Sequence, residues 1–189
     1  MEVLKIEQAV KDLLIALGEN PEREGLIETP KRVAKMYQEV FEGIQYTNDD
    51  IAKMFNKSFT ETHDSNNIVI VKDIPCFSYC EHHLALIYDM NISVGYLPTT
   101  KVLGISKVAR IADMVCKRLQ LQERIGSDIV EIISKVTGTK NVAVYIEAKH
   151  SCMTARGIKK TESKTCTFTR SGAFNDSSMK EEFLRLIGK

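Results

Sequence analysis

Two short segments of the chain concentrate cysteine and histidine, the side chains that bind zinc and other borderline metal ions. The first is IPCFSYCEHH, residues 74–83, and the second is KHSCMTARG, residues 149–157. Together they hold three of the five cysteines and three of the four histidines in 189 residues. Two such clusters, far apart in the chain, raise the question of whether folding assembles them into one site.

The second cluster ends a segment with the period-two pattern of a β-strand, NVAVYIEAKHSC. Alternate side chains of a strand point to the same face. On this face, in chain order, are Val142, Val144, Ile146, Ala148, His150 and Cys152. The four apolar residues are expected to cover the core. The strand is then expected to carry His150 and Cys152 side by side to the rim of a sheet.

Cys80 and His83 have the spacing C-x-x-H, which suits one helical turn or a tight loop. With Cys152 they would give zinc three protein ligands, the number typical of catalytic sites, where water takes the fourth position. Zinc lowers the pKa of such a water to about 7, so hydroxide becomes available at neutral pH. His82 and His150 are neighbours of these ligands in sequence and are candidates for proton transfer.

The cysteines also have other interpretations, which spacing alone leaves open. A buried free cysteine commonly acts as a small hydrophobic residue, and we assign that role to Cys76, Cys116 and Cys166. His63 lies in a polar segment and is expected to be solvated. A structural zinc site would need a fourth ligand, for which Cys76 is the candidate. A zinc finger would need closer pairs, and PCFSYC does not fit the C-x-x-C of zinc deaminases.

Two predicted helices carry pairs of basic residues that could bind an anion. Lys107 and Arg110 follow Ser106, a predicted N-cap, and helix N-termini attract phosphate. Arg32 and Lys35 have the same spacing on an earlier helix. Either pair taken alone also fits a solvated basic face.

Three more residues adjoin these segments and are candidates for binding. Arg156 follows Cys152 by four positions and would share its face if the strand continued, although Gly157 indicates a turn. Gln122 and Glu123 lie just before or within the first turn of a predicted helix. An acidic residue there also favours the helix N-terminus through the macrodipole.

The composition is that of one soluble globular domain, with 43% hydrophobic and 27% charged residues. The net charge of +1 excludes a global field for binding nucleic acid or an anionic membrane. The sequence has no apolar run of about 18 residues and no apolar signal core at its N-terminus. An odd number of scattered cysteines favours reduced thiols. We therefore expect a cytoplasmic protein without nucleic-acid or membrane partners.

The hydrophobic pattern predicts an α+β fold with an antiparallel sheet. Helices are predicted at 5–17, from Thr29-Pro30 to about 41, from Ser106 to about 119 and at 123–136, and strands at 68–71, 84–96, 141–153 and 161–170. Met36 and Leu119 are among the positions expected to face the core. Residues 45–66 are expected to form an exposed, irregular connection. We divide the chain into an N-terminal helical segment with a polar loop, 1–66, and a catalytic domain, 67–189, which act as one functional unit.

Seven stretches between about residues 29 and 174 resemble the GTP cyclohydrolase I family. They are TPKRVAKMY, CEHH, GYLP, VLGISKVARI, QLQERI, NVAVYIEAKHSCMTARGI and SKTCTFTRSGAF. The combination of CEHH with HSCMTARG downstream is specific, whereas a C-x-x-H pair alone is weak. The resemblance implies a zinc enzyme that opens the guanine imidazole ring of GTP, releases formate and forms 7,8-dihydroneopterin triphosphate, on the way to folate or biopterin.

The resemblance also implies roles that spacing left undecided. The implied ligands of one Zn²⁺ per subunit are Cys80, His83 and Cys152, and the implied proton-transfer groups are His82, His150 and Ser106. The implied substrate-binding residues are Gln122 and Glu123 for the guanine ring, Ser106, Lys107, Arg110 and Arg156 for the ribose and triphosphate, and Arg32 and Lys35 from a neighbouring subunit.

The fold implied by the resemblance is the tunnelling fold, or T-fold, an antiparallel sheet with a helix pair. Subunits of this family join their sheets into a barrel and form a homodecamer of two stacked pentamers, with active sites between subunits. A paralogue that stops before the pterin is disfavoured because His82 and Ser106, which the later steps require, are present. The chain departs from many members at Arg170-Ser171, which bears on packing between subunits and not on the site.

Overall fold

The computed structural model describes residues 1–60 and 67–189, and a five-stranded sheet organises these residues. The strands are β1 (Ser58–Thr60), β2 (Val69–Cys80), β3 (Ala85–Tyr96), β4 (Lys101–Leu103), β5 (Leu119–Gln120), β6 (Val142–His150) and β7 (Thr165–Arg170). The sheet has the order β5-β2-β3-β6-β7, and its neighbours are antiparallel except for the short parallel pair of β2 and β5. The remaining strands, β1 and β4, form a separate antiparallel pair. The predicted α+β class with an antiparallel sheet is confirmed.

Helices flank the sheet on both faces. They are α1 (Val3–Ala16), α2 (Thr29–Val40), α3 (Asn48–Met54), α4 (Ile105–Cys116), α5 (Gln122–Thr137), α6 (Ser151–Thr154) and α7 (Ser177–Ile187), with 3-10 turns at Glu42–Gln45 and Gly172–Asn175. In the part of the chain that the structure describes, none of these helices has the length and apolar character needed to cross a bilayer.

The main core lies between one face of the sheet and the helices α4 and α5. The strand face predicted from the period-two pattern is confirmed, because Val142, Val144, Ile146 and Ala148 are all fully buried. A smaller core under α7 covers part of the opposite face. There α7 lies directly on the sheet, since a Cβ added at Gly95 would be 2.7 Å from the ring of Phe183.

The N-terminal helices α1 and α2 pack on each other, and α1 has no buried residue. The predicted start of α2 is one residue late, because Thr29 is the first helical residue and Glu28 is the cap. Val40 is buried as predicted, but Met36 is 40% exposed. The prediction for Met36 is wrong because α2 packs chiefly on α1, which lies outside both cores.

The segment predicted to be an exposed connection, 45–66, contains α3 and β1 in its described part, so that prediction is wrong there. Thr47 and Asp50 form a capping box that begins α3, and Ile51 on this helix is fully buried. Arg118 fixes the approach to α3 by donating to the carbonyl of Tyr46 at 2.9 Å. A helix of seven residues among polar neighbours gives too short a pattern to be recognised in the sequence. His63 lies outside the described residues.

Both ends of α4 differ from their predictions, whereas the end of α5 agrees. Gly104 is the cap of α4, so Ser106 lies inside the first turn instead of at the N-cap. This helix ends at Cys116, and Leu119, predicted on it, lies in β5. The helix α5 ends, as predicted, at Gly138, which has a φ of +75°.

Three strands differ in length from their predictions. The strand β2 continues to Cys80, well past the predicted end at residue 71, through irregular pairing with β3 at two points. Pro75 is tolerated in it because β5 pairs with β2 only at its last two residues, so Pro75 lies on an open edge. The strand β6 ends at His150 and not at 153, since the chain turns there into α6, and β7 begins at Thr165 and not at 161.

Candidate metal centre and active site

The three predicted metal ligands meet at one end of the sheet. Cys80 is the last residue of β2, His83 lies in the turn to β3, and Cys152 lies in α6. Their donor atoms, two thiol sulfurs and an imidazole nitrogen, lie within 4.8 Å of one another. Donor atoms on a tetrahedral zinc are about 3.5–3.8 Å apart. This soft donor set therefore fits a zinc ion after small side-chain movements.

The register of the sheet explains why residues so distant in the chain meet. The end of β2 and the end of β6 lie on either side of the start of β3, because Cys80 pairs with Ala85 and His150 pairs with Ile87. Beyond His150 the chain turns into α6, and Cys152 approaches the ligands of β2 from this turn. The predicted continuous strand carrying His150 and Cys152 side by side is thus replaced by a strand end and a helical turn.

The other cysteines lie outside the donor group. Within the described residues that group consists of three side chains, and Cys76, the candidate fourth ligand of a structural site, is not one of them. The hydrogen-bonding contact of the Cys116 thiol with Cys76, together with burial, raises the pKa of Cys116 well above its ordinary value. Cys116 is 1% exposed and is confirmed as a core residue. Cys166 was predicted to be buried but is exposed, 3.9 Å from Glu147, because it lies on the edge strand β7.

The turn between β2 and β3 directs two adjacent histidines differently. The ring planes of His82 and His83 are 82° apart and their centroids are separated by 6.3 Å. His82 Nδ1 lies 3.8 Å from the sulfur of Cys80, so this imidazole adjoins the donor group without belonging to it. Leu84 closes the turn with a φ of +50°, a strained value for a bulky residue.

An ion pair that sequence reasoning missed ties this turn to α5. Arg124 donates to both carboxylate oxygens of Glu81, at 2.5 and 3.2 Å. The hydrogen bond from Arg124 lowers the pKa of Glu81. The backbone N–H of Glu81 also donates to the carbonyl of Gln120 at 3.1 Å. The only indication of this pair in the sequence is that Glu81 and Arg124, with opposite charges, belong to the two site motifs CEHH and QLQERI.

His150 and Gln122 form a second contact close to the ligands. The Nε2 atom of half-buried His150 lies 2.8 Å from Oε1 of Gln122. Burial lowers the pKa of His150, and the charge of Glu123 partly opposes this shift. Gln122 is only 1% exposed, and its amide nitrogen donates to backbone carbonyls of β6 and β7. Glu123, the next residue, faces solvent in the first turn of α5.

The basic candidates lie on three separate elements. On α4, Ser106 and Arg110 are exposed, while Lys107 is half-buried with its ammonium 5.8 Å from the ring centroid of Phe55. The exposed residues on the other two elements are Arg32 and Lys35 on α2 and Arg156 after α6. Within one chain, the three predicted metal ligands lie close together, with His150 two residues from Cys152. The predicted basic residues lie apart from them, mostly exposed on the surface.

Two thiols and one imidazole at a sheet end, beside a half-buried histidine, are features of a catalytic metal enzyme and not of a structural zinc protein. The model of the GTP cyclohydrolase I family matches residues 6–188. The chain belongs to the GTP cyclohydrolase I family.

Its relatives are similar over nearly their whole length. A protein of Ruminiclostridium cellulolyticum named GTP cyclohydrolase 1 is 60% identical over 187 residues, which cover 96% of both chains. One of the same name from Clostridium acetobutylicum is 57% identical over 185 residues, 96% of this chain and 95% of that one. A crystal structure of the archaeosine synthase QueF-Like in the apo form matches 58% of this chain and 98% of that one, with a TM-score of 0.47 and 21% identity.

Proposed function

We propose that this chain is a GTP cyclohydrolase I, a hydrolase that opens the imidazole ring of guanine in GTP and releases formate. The product is 7,8-dihydroneopterin triphosphate, the precursor of reduced pterins. The observation that carries the proposal is the convergence of Cys80, His83 and Cys152 within 4.8 Å in a chain of this family.

Cys80, His83 and Cys152 would hold one Zn²⁺ per subunit, since thiolates and imidazole are its preferred ligands. When bound there, zinc supplies Lewis-acid chemistry and an acidified water at neutral pH. Cys80 is buried, Cys152 is half-buried and His83 is exposed, so an ion held by them would remain accessible from solvent.

Proton transfer falls to the histidines beside the ligands. We assign to His150 the protonation of the ring nitrogen next to carbon 8 as the imidazole ring opens, because it is half-buried and two residues from the ligand Cys152. His82 and Ser106 then move protons while the ribose opens and the pterin ring closes. The side chains of His82 and Ser106 are both exposed, so they are accessible to a substrate that changes shape during the reaction.

Recognition of GTP combines a carboxylate with basic residues. The exposed carboxylate of Glu123 can accept hydrogen bonds from the ring N–H and the exocyclic amine of guanine. Lys107, Arg110 and Arg156 are assigned to the ribose and triphosphate. Arg32 and Lys35 on α2 are assigned to the site of a neighbouring subunit, where they would add positive charge to the triphosphate end.

We propose a homodecamer of two stacked pentamers, as the family resemblance implies, and the surfaces of the single chain support self-association. The edge strand β7 and most of the outer edge of β2 are open, and such edges pair readily with those of other copies. The helix α1 and the adjacent Leu84 and Tyr37 line an apolar groove of about 650 Å³. A second copy would cover these surfaces, and the joined sheets would form a barrel. The proposed location is the cytoplasm.

The proposal is tested by incubating the purified protein with GTP, with and without a chelator, and measuring formate and the fluorescent pterin formed on oxidation. We expect both products without chelator and neither with it. Formate without pterin would show an enzyme that stops after ring opening. No formate from zinc-loaded protein would contradict the proposal.

A further inference from the structure

The amide of Gln122 has an orientation that its surroundings determine. Its nitrogen lies 3.2 Å from the carbonyl oxygen of Ile146, 2.9 Å from that of Thr165 and 3.3 Å from the hydroxyl of Thr167. Carbonyl oxygens only accept hydrogen bonds, so the atom facing them must be the NH₂ group. The amide oxygen is therefore the atom that faces His150, at 2.8 Å.

This orientation decides which ring nitrogen of His150 carries the hydrogen. An amide oxygen only accepts, so Nε2 of His150 must be the protonated nitrogen of the neutral ring. The other nitrogen, Nδ1, then has the free lone pair. We propose that Gln122 is a positioning residue that fixes the tautomer and ring orientation of His150, leaving Nδ1 to exchange the proton with substrate. This inference rests on the proposed catalytic role of His150.

The burial of Gln122 separates its role from that of Glu123. Gln122 is 1% exposed, and both ends of its amide are engaged within the chain. A contact with the guanine ring would require it to leave two backbone carbonyls, whereas the neighbouring Glu123 already faces solvent. Consecutive helical residues point about 100° apart, so one can hold the histidine while the other meets the base.

The first test separates turnover from substrate binding in zinc-loaded Gln122→Met, which keeps the side-chain length and removes the amide. We expect kcat to fall about 10- to 100-fold, the range for residues that orient a site side chain, with KM for GTP within about twofold. Glu123→Gln should show the opposite split, with KM raised and kcat less affected.

The chain offers a matched control in Gln120, which is also 1% exposed. Its amide nitrogen donates to the carbonyl of Val115 and to Asp128, away from His150. Gln120→Met therefore loses buried hydrogen bonds of the same kind without touching the histidine. We expect it to lower thermal stability about as much as Gln122→Met does and to keep kcat within about twofold.

The second test reads the tautomer directly by nitrogen NMR of protein labelled on its histidine rings, above about pH 8, where histidine is neutral. The chain has four histidines, and the signals missing in His150→Ala identify those of His150. We expect hydrogen on Nε2 in the native protein and in Gln120→Met, and a mixture of both tautomers in Gln122→Met.

Several results would overturn the inference. They are hydrogen on Nδ1 of native His150, an unchanged tautomer in Gln122→Met, and a raised KM with native kcat in that variant. Full turnover in His150→Ala would remove the proposed role of His150 and this inference with it. An inactive His150→Ala beside a fully active Gln122→Met would overturn the inference alone.

Discussion

Cys152 and His150 are two positions apart but have different surroundings. The sulfur of Cys152 faces the donor atoms of Cys80 and His83, whereas the ring of His150 is hydrogen-bonded to Gln122. We therefore propose that Cys152 binds the metal ion and that His150 transfers a proton. Substitutions at the two positions should separate these properties.

Removing one thiolate should release the metal. We expect Cys152→Ser to abolish formate release and to lower zinc per subunit after dialysis at least about tenfold, because a hydroxyl is a poor zinc ligand. Metal content is measured by atomic spectroscopy. Cys166→Ser is the matched control, since Cys166 is exposed and outside the donor group, and it should keep zinc and turnover. Normal turnover in Cys152→Ser would refute the ligand assignment.

Removing the imidazole of His150 should leave the metal in place. We expect His150→Ala to retain about one zinc per subunit while the rate of formate release falls by about 10²- to 10⁴-fold, the usual contribution of general acid–base catalysis. Zinc content and formate are measured on the same sample. Loss of zinc in this variant would show that His150 is itself a ligand.

At the scale of elements, the site is formed by the ends of β2 and β6, the start of β3, the short helix α6 and the start of α5. The turn after β2 bears Glu81, His82 and His83, and the ion pair with Arg124 links it to the first turn of α5. The same turn of α5 bears Gln122, which reaches β6 and β7. The turn, the helix and the sheet therefore share one rigid junction.

Breaking the link between the turn and α5 should loosen the site. We expect Arg124→Met to weaken zinc binding about three- to tenfold, measured by competition with a chelator, because the turn holding His83 loses a charged anchor. Lys135→Met is the control, since Lys135 pairs on the same helix with Asp49 and Glu131, away from the ligands. Equal zinc affinity in the two variants would exclude a role for the ion pair in holding the turn.

A second charged junction ties β6 to later parts of the chain. Hydrogen bonds from Lys164 and Lys189, each at 2.7 Å, lower the pKa of Glu147 from 4.5 to about 2. A carboxyl with a lowered pKa stabilises the fold above its unfolded pKa, and this contribution disappears as pH falls through the folded value.

We therefore expect Glu147→Gln to lower the free energy of unfolding at pH 7 by about 1–2 kcal/mol, a modest value because both lysines are partly exposed. The difference from the native protein should shrink between pH 4.5 and about 2. Denaturant unfolding at several pH values measures it. Glu162→Gln is the control: its carboxylate is 92% exposed, and the substitution should not change the free energy of unfolding. If the difference in unfolding free energy between Glu147→Gln and the native protein did not depend on pH, the lowered pKa of Glu147 would be contradicted.

At the scale of the whole molecule, the chain presents surfaces that a second copy would cover. The helix α1 buries none of its residues, and Leu4, Leu13 and Leu17 are more than half exposed. Among residues 1–60 and 67–189, no strand pairs with the outer edge of β7 or with most of the outer edge of β2. These surfaces favour the proposed assembly, in which basic residues from α2 complete a neighbouring site.

The proposed decamer can be tested by the mass of the protein in solution. We expect light scattering to give about ten times the chain mass of 21.3 kDa. Leu13→Lys places a charge in the apolar groove and should lower this mass, because burying an unpaired charge is unfavourable. A native protein of single-chain mass would contradict the proposed decamer.

The sequence by itself determined the chemistry and most of the elements. Residue type and local spacing predicted the candidate ligands and the strand face from Val142 to Ala148, because hydrophobic period and ligand chemistry are local properties of the chain. The choice of Cys80, His83 and Cys152 over other roles for the cysteines came from the resemblance to the family. The sequence-based predictions were wrong where the local pattern was short or misleading. They missed the helix α3 with its buried Ile51, expected Met36 on α2 to be buried, and extended β6 past His150.

Only the tertiary structure decided how these parts meet. The pairing of β2 and β6 with β3 brings Cys80 and Cys152 together, and no local pattern encodes a register between distant strands. The same holds for the contact of Gln122 with His150 and for the pair of Glu81 with Arg124. These contacts depend on how a helix docks on a sheet, which is settled by packing of the whole core.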